Sequence, residues 1–281
     1  PENQLANLAK WQDFTTKNSD LDGKKTEILL KKSVKYSIPD DEEPLAISLS
    51  SGIDSSLCLA LLRDVFPNRK ITAICGVFEN GNDESKIAKK IAEKFSADFK
   101  TVYMDSIFTN MPEIISISKK PRWNTYNHLI SKEAKKHSNY LVTGDGADEL
   151  FGGYTFRYQK FKQLSKSNDN WVTKVKKYLE CHNRDWVIDQ NLLFGTNIQF
   201  NWETIYNYFK PYFQNKLEPI VQVMLADFNG KLSLDFIPTG KAIFNHYKIH
   251  GIPIFLNSNL IPFAQKLPLN QKYDETNFKG K

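Results

Sequence analysis

The 281-residue chain is poor in cysteine, methionine and histidine, with 3, 3 and 5 of each. Cys58, Cys75 and Cys181 form no pairable framework and no Cys-x-x-Cys site, which excludes a disulfide-stapled domain and a zinc ribbon. Cys58 and Cys75 sit in apolar runs and read as core residues, in keeping with a reducing, cytoplasmic setting. No apolar run is long enough to span a membrane. The start, Pro1-Glu-Asn-Gln4, lacks the basic and apolar pattern of a secretory leader. No Gly-Lys-Ser/Thr follows a strand, so there is no Walker phosphate loop. Repeats and long low-complexity tracts are also missing. Neither sign of charge dominates: 38 basic residues face 32 acidic ones, a net charge of +6. The lysines are scattered through amphipathic stretches such as 85–95, and no recognition motif accompanies them. A solvated lysine-rich surface therefore explains the excess better than nucleic-acid binding does.

What is present is a globular composition, 41% hydrophobic and 25% charged, long enough for one large domain or two smaller ones. Residues 1–23 read as a polar tail. Gly23 to Tyr36, with Ile28, Leu29 and Val34 among lysines, suits a surface helix, and Asp40–Glu43 a solvated connection. Strands are predicted at 45–49, 70–78, 99–104 and 139–143. Helices are predicted between them. Leu57, Leu61 and Val65 mark the first. In the second, Ile87, Ile91 and Phe95 form a stripe widened by Ala88 and Ala92, with Asp83 placed to cap it. Further helices are expected at 106–118 and 126–136. This alternation predicts an α/β fold: a parallel twisted sheet with helices on both faces, its ligands at the strand carboxyl ends. From Tyr154 onward, aromatics such as Phe156, Tyr158, Phe161, Trp171, Tyr178 and Trp186 recur at helical spacing. They predict a mainly helical C-terminal part whose aromatic stripes are core rather than a base-stacking platform.

Two stretches carry chemistry. The first is Ser50-Ser-Gly-Ile-Asp-Ser55, between the first strand and its helix. A strand, a tight turn and a helix N-terminus collect backbone N–H groups at one point, which is an anion site. Gly52 permits close approach. Asp54 would repel phosphate unless a divalent cation lay between them. An ordinary serine-rich turn is the competing reading. The second is Gly144-Asp-Gly-Ala-Asp-Glu-Leu-Phe-Gly-Gly-Tyr154, directly after the fourth strand, where Asp145, Asp148 and Glu149 put three carboxylates within five residues. Such a cluster self-repels unless a cation, a proton or a positive partner is present. Capping of a helix N-terminus accounts for one or two of them, but hardly for Gly144-Asp-Gly146.

The first stretch is similar to the pyrophosphate loop of the N-type ATP pyrophosphatases, Ser-Gly-Gly-x-Asp-Ser, with Ser51 in place of the first glycine. With the second, the chain resembles the synthetase domain of the glutamine-hydrolysing asparagine synthetase and β-lactam synthetase family. Phe78-Glu-Asn-Gly-Asn-Asp-Glu-Ser85 supports this, lying where the family has an acidic turn. So does Ile254–Pro268, which resembles a Pro-Phe-Leu-Asp segment. The resemblance implies an adenine-nucleotide α-hydrolase-like fold over 24–281, with an ATP-pyrophosphatase core at 24–158 and a mainly helical part at 159–281. It implies an ATP- and magnesium-dependent amide-forming ligase. A carboxylate substrate, aspartate among the candidates, would be activated as an acyl-adenylate with release of pyrophosphate, then attacked by ammonia or an amine. Ser50, Ser51, Gly52 and Ser55 would hold pyrophosphate. Leu49, Cys75, Thr143 and Gly144 would contact ATP, and Asp54 and Asp148 would bind magnesium. Asp145, Glu149 and Lys281 would be catalytic, Asp145 orienting substrate or accepting a proton.

Departures qualify this. The family's late Lys-x-x-Leu-Arg element is cut short at Lys281, so the chain is expected to be truncated there. The residues from Pro1 on contain no glutaminase domain of the kind the family carries ahead of its synthetase, so ammonia, a separate glutaminase subunit or an amine is expected as nitrogen source. The Asp-Arg-x-Ser-Met-Ala and Glu-x-Arg elements are replaced by Gly240–Pro253, which puts aspartate in doubt. Arg122 either binds the substrate carboxylate or is a surface residue. His246 and His250, four apart on an expected helix, are compatible with metal binding but lack further ligands. The alternatives kept are a β-lactam-synthetase-like or tRNA-modifying ATP pyrophosphatase, and a non-catalytic ATP-binding subunit.

Overall fold

The computed structural model describes residues 14, 18–78, 83–104, 106–120, 126–182, 192, 195, 197, 201–274 and 279–280. They fall into two compact units. Residues 23–146 and 235–261 form a sheet unit; residues 1–22, 147–234 and 262–281 belong to a helical unit.

The sheet unit runs α1 (Lys24–Ser37), β1 (Leu45–Ser48), α2 (Ile53–Val65), β2 (Ile71–Phe78), α3 (Ser85–Lys94), β3 (Asp98–Met104), α4 (Ile107–Ser118), α5 (Tyr126–Ala134) and β4 (Tyr140–Thr143). Leu45, Ala46 and Ile47 of β1 have no exposed surface, as a central parallel strand requires. The sheet has five strands in the order β3-β2-β1-β4-β5, all parallel. Its order reverses between β1 and β4, so the crevice outside their carboxyl ends is the topological switch point.

The helical unit begins with α6 (Ala147–Phe151), α7 (Thr155–Leu164), α8 (Trp171–Cys181), α9 (Trp202–Phe213) and α10 (Pro219–Ala226). Tyr158, Phe161, Tyr178, Tyr212 and Phe213 are buried there, and Phe161 meets Phe213 with ring centroids 6.0 Å apart. The aromatic stripe is thus mainly core, although Phe156 is exposed; Trp186 lies outside the described residues. A π-helical segment, Asp227–Phe236, leads to α11 (Ile237–Tyr247) and to the fifth strand, β5 (His250–Pro253).

This strand corrects the expectation of a helix through His246 and His250. Lys248 takes a left-handed conformation (φ 51) and ends α11, and His250 opens β5 opposite Tyr140 of β4. The two histidines lie on different elements, so the metal pairing is withdrawn. Three predicted stripes hold in part. Val34, Leu61, Ala88 and Ala92 are buried as expected, whereas Ile28, Leu57 and Ile87 are exposed, and Leu30, Cys58 and Leu62 join the core. Close packing of a helix on the sheet favours the small residues at its centre, and the larger ones flank them. Asp41 is not merely solvated. It accepts from the Tyr140 hydroxyl at 2.7 Å and pairs with Arg69, and the tyrosine bond leads the effects that hold its carboxyl low.

Candidate functional site

After β1 the chain stays against the sheet for one more residue, Leu49 donating to the Ile74 carbonyl at 2.9 Å. It then turns sharply. The Ser50 N–H donates to Ser55 Oγ at 3.0 Å, the two serine hydroxyls lie 3.0 Å apart, and the Gly52 N–H donates to Ser50 Oγ at 3.0 Å. The Ser56 hydroxyl donates to the Gly52 carbonyl at 2.7 Å. Helix α2 starts at Ile53, with Gly52 at its N-cap. Asp54 and Ser55 therefore occupy the first turn, where the helix dipole favours negative charge.

The facing wall is the carboxyl end of β4. Thr143 donates from Oγ1 to Asp145 Oδ2 at 2.9 Å. A Cβ on Gly144 would lie 3.4 Å from Asp54 Cβ, so the two loops approach closely enough that one added carbon would bring them into van der Waals contact. Together they frame a cleft of about 400 Å³. It collects Leu49, Ser50, Gly52, Asp54, Ser55, Thr143, Gly144 and Asp145, and adds Phe78, Glu84 and Asn127. Ser51 and Cys75 are not on its wall. Cys75 is buried in β2 with its thiol toward the Gly76 carbonyl, and burial followed by the Glu84 and Asp83 charges pushes that thiol up to about 11. Ser51 is used through its backbone: its N–H donates to Glu84 Oε2 at 3.1 Å. A carboxylate of the chain itself thus sits on one donor of the turn. The acidic turn holding it looked on sequence like helix capping, and Asp83 does accept the Ser85 N–H at 2.9 Å. Glu84 is the residue that sequence reasoning passed over.

Asp54 and Asp145 share this cleft, and after burial their two charges are the next causes that raise the buried Cys58 thiol. Among the described residues no group of three or more His, Cys, Asp and Glu is placed to hold a metal ion. The donor set instead suits magnesium, which keeps several waters and takes one or two carboxylates with phosphate oxygens. Arg122 and Lys281 lie outside the described residues. A second cavity of about 290 Å³ in the same unit includes Asp145 in its wall. Phe236, Ile237, Phe244, Ile249 and Leu256 make it largely apolar, with Lys241, Asn245 and His250 at its polar positions.

Asp148 and Glu149 belong to the helical unit. The glycines around them answer to backbone geometry. Gly146 and Gly152 have φ of +94 and +78, and a Cβ on Gly153 would overlap the Asp148 carboxylate. Glu149 is buried, accepting from the Tyr154 hydroxyl at 2.7 Å with the Lys231 ammonium 3.6 Å away. Burial pushes its carboxyl up to about 7 despite Lys231. Burial likewise raises Asp148. The folded protein therefore holds a proton on Glu149 that the unfolded chain releases near its ordinary value of about 4.3. This contribution to stability falls as pH rises between those two values. Glu149→Gln is neutral at every pH and still accepts from Tyr154. It is expected to match the parent near pH 4 and exceed it at pH 8 by about 1–3 kcal/mol in urea unfolding. Equal pH dependence of the two would refute a raised Glu149.

The sequence model of the asparagine synthase family matches residues 25–280. An asparagine synthetase [glutamine-hydrolyzing] 1 of Bacillus subtilis is 31% identical over 116 residues, 40% of this chain and 18% of that protein. A putative asparagine synthetase [glutamine-hydrolyzing] of Mycobacterium bovis is 37% identical over 141 residues, 47% of this chain and 22% of that one. The match to "Amidase chyE" of Penicillium rubens is 29% over 163 residues, 50% of this chain and 24% of that one. The chain spans about a fifth of the length of these curated relatives. Among solved structures, an NH3-dependent NAD synthetase from Campylobacter jejuni aligns over 82% of this chain and 96% of its own, with a TM-score of 0.34 and 13% identity.

Proposed function

Since the chain belongs to the asparagine synthase family, which covers residues 25–280, we propose that it forms amide bonds by adenylating a carboxylate. The observation that carries this is the Ser50–Ser55 turn at the N-terminus of α2, with Asp54 and Asp145 in one cleft at the switch point of the sheet. ATP bound there would present its β- and γ-phosphates to the N-terminus of α2, and to the turn's N–H and hydroxyl donors as they exchange their present bonds for phosphate oxygens. Asp54 would hold magnesium, which neutralises charge building on the phosphates. A substrate carboxylate oxygen attacks the α-phosphorus, and the bond to pyrophosphate breaks. Ammonia or an amine then attacks the acyl carbon, AMP leaves, and the surplus proton of the new amide nitrogen passes to a base. Asp145, oriented by the Thr143 hydroxyl, is that base.

The cavity sharing Asp145, more apolar than polar among the described residues, suits an acyl substrate with an apolar body better than aspartate, whose second carboxylate and ammonium would need more charged partners than the Lys241 and Asp145 that the described residues supply. The test is turnover with ATP, magnesium, ammonia and a panel of carboxylic acids. AMP and pyrophosphate in equal amounts support adenylation. ADP and phosphate would exclude it. Nucleotide binding with no acid-dependent turnover would favour a non-catalytic ATP-binding subunit.

Glu84 gives a second test. Its carboxylate must leave the Ser51 N–H before a phosphate oxygen can accept from it. Glu84→Gln removes a competing charge and is expected to tighten pyrophosphate binding three- to tenfold in titration calorimetry, roughly 0.7–1.4 kcal/mol. Weaker binding would instead mark Glu84 as a magnesium ligand.

A further inference from the structure

The helical unit contains a cleft of about 840 Å³ apart from the cleft already described. Two of its wall residues are buried side chains that carry donors. Lys272 is 3% exposed, with its ammonium 6.0 Å from the Phe14 ring. Gln265 is 5% exposed, and its Nε2 is buried with no hydrogen-bond partner among the described residues. A buried donor left unpaired is costly, and a cation on a buried side chain calls for a counter-charge. Both residues line this cleft, and Gln265 Nε2 calls for an acceptor that the described residues do not supply. The remaining wall mixes polar residues with apolar ones, Leu217, Val221 and Met224 among the latter.

We propose that this cleft is a binding site for an organic carboxylate with an apolar body, its oxygens accepting from Lys272 Nζ and Gln265 Nε2. The volume is that of a typical small-molecule site. The proposal is independent of the adenylation reading: it concerns a different unit and a different set of residues. Burial alone pushes the Lys272 ammonium down to about 7. A bound carboxylate favours the charged form and raises it again. Binding therefore takes up a proton above pH 7, and affinity falls as pH rises. The other charged groups on the wall are Lys216, Glu218, Lys266 and Asp274.

The experiment is titration calorimetry of the full chain with octanoate, with octanol as an apolar body without charge and acetate as a charge without a body. Octanoate is expected to bind at one site, with octanol and acetate at least tenfold weaker. Its affinity should drop about fivefold from pH 7 to pH 8, with proton uptake read from buffers of different ionisation heat. Lys272→Met, which removes a buried charge at nearly constant volume, should fold as well as the parent and bind octanoate at least tenfold more weakly. Gln265→Leu should weaken it in the same direction. Octanol binding as tightly as octanoate, unchanged octanoate affinity in Lys272→Met, or no octanoate binding would each overturn the proposal. Pyrophosphate release bears on none of these outcomes, so the two readings fail separately.

Discussion

Asp54→Asn is expected to lower AMP and pyrophosphate release at least about a thousandfold, roughly 4 kcal/mol of transition-state stabilisation. The side chain keeps its size and its place in the first turn of α2, so the change is one of charge. On the proposed reading that charge holds the cation against which the pyrophosphate leaves, and loss of such electrostatic stabilisation is the largest effect a single residue usually carries. The cost to folding is small by comparison, about 0.3–1 kcal/mol for an acid at a helix N-terminus. Melting within a few degrees of the parent, together with near-complete loss of turnover, is the expected pattern. Asp145→Asn is expected to behave differently. It removes a proton acceptor and leaves the cation site, so adenylation measured as pyrophosphate exchange should outlast amide formation. Wild-type turnover in Asp54→Asn would remove the metal role and leave the Ser50–Ser55 turn as an ordinary strand–helix connection.

The parts of this site legible in the sequence are those in which local chemistry and tertiary role agree. Leu45–Leu49 is apolar because β1 is covered on both faces. Ser50–Ser55 is small and hydroxylated because its side chains close the turn on themselves. Gly144–Asp145 follows β4 directly, so a strand read from its apolar run also positioned its loop. Glu84 was not legible, because its effect comes from a hydrogen bond to Ser51, 33 residues away, while its neighbour Asp83 performs the local capping that the sequence suggests. Strand β5 was hidden for a different reason. His250-Gly-Ile-Pro253 is four residues long and carries Gly and Pro, both poor strand formers tolerated here at the sheet edge. Gly251 is required there, since a Cβ would overlap the Phe244 ring of α11. The histidine spacing pointed to a helix because nothing local marks Lys248 as the residue that breaks it.

Asp227→Ala is expected to destabilise the protein by about 3–5 kcal/mol, a large share of the 5–15 kcal/mol that holds a typical domain folded. Asp227 has no exposed surface and is the acceptor for two buried groups, Arg157 Nη1 at 2.8 Å and the Tyr178 hydroxyl at 2.8 Å, with His182 Nε2 3.1 Å away. Burial by itself would raise its carboxyl. The close approach of His182 and the Arg157 and Lys231 charges outweigh that and hold it below the usual carboxylate range. Truncation leaves the buried Arg157 guanidinium without its counter-charge, and that penalty is the main part of the loss. A double replacement that removes both charges, Arg157→Met with Asp227→Leu, should therefore recover most of the stability, because a buried ion pair exchanged for packed apolar groups is often neutral or better. The pH dependence follows from the same geometry. The folded value of Asp227 lies below its unfolded value of about 3.9, so its contribution is complete above that pH and is lost as pH falls through the folded value. The parent should lose stability in strong acid faster than Asp227→Ala does. Urea unfolding at pH 7 and pH 3 measures both effects, and a loss under about 1 kcal/mol at pH 7 would mean that Asp227 is not the centre of this network.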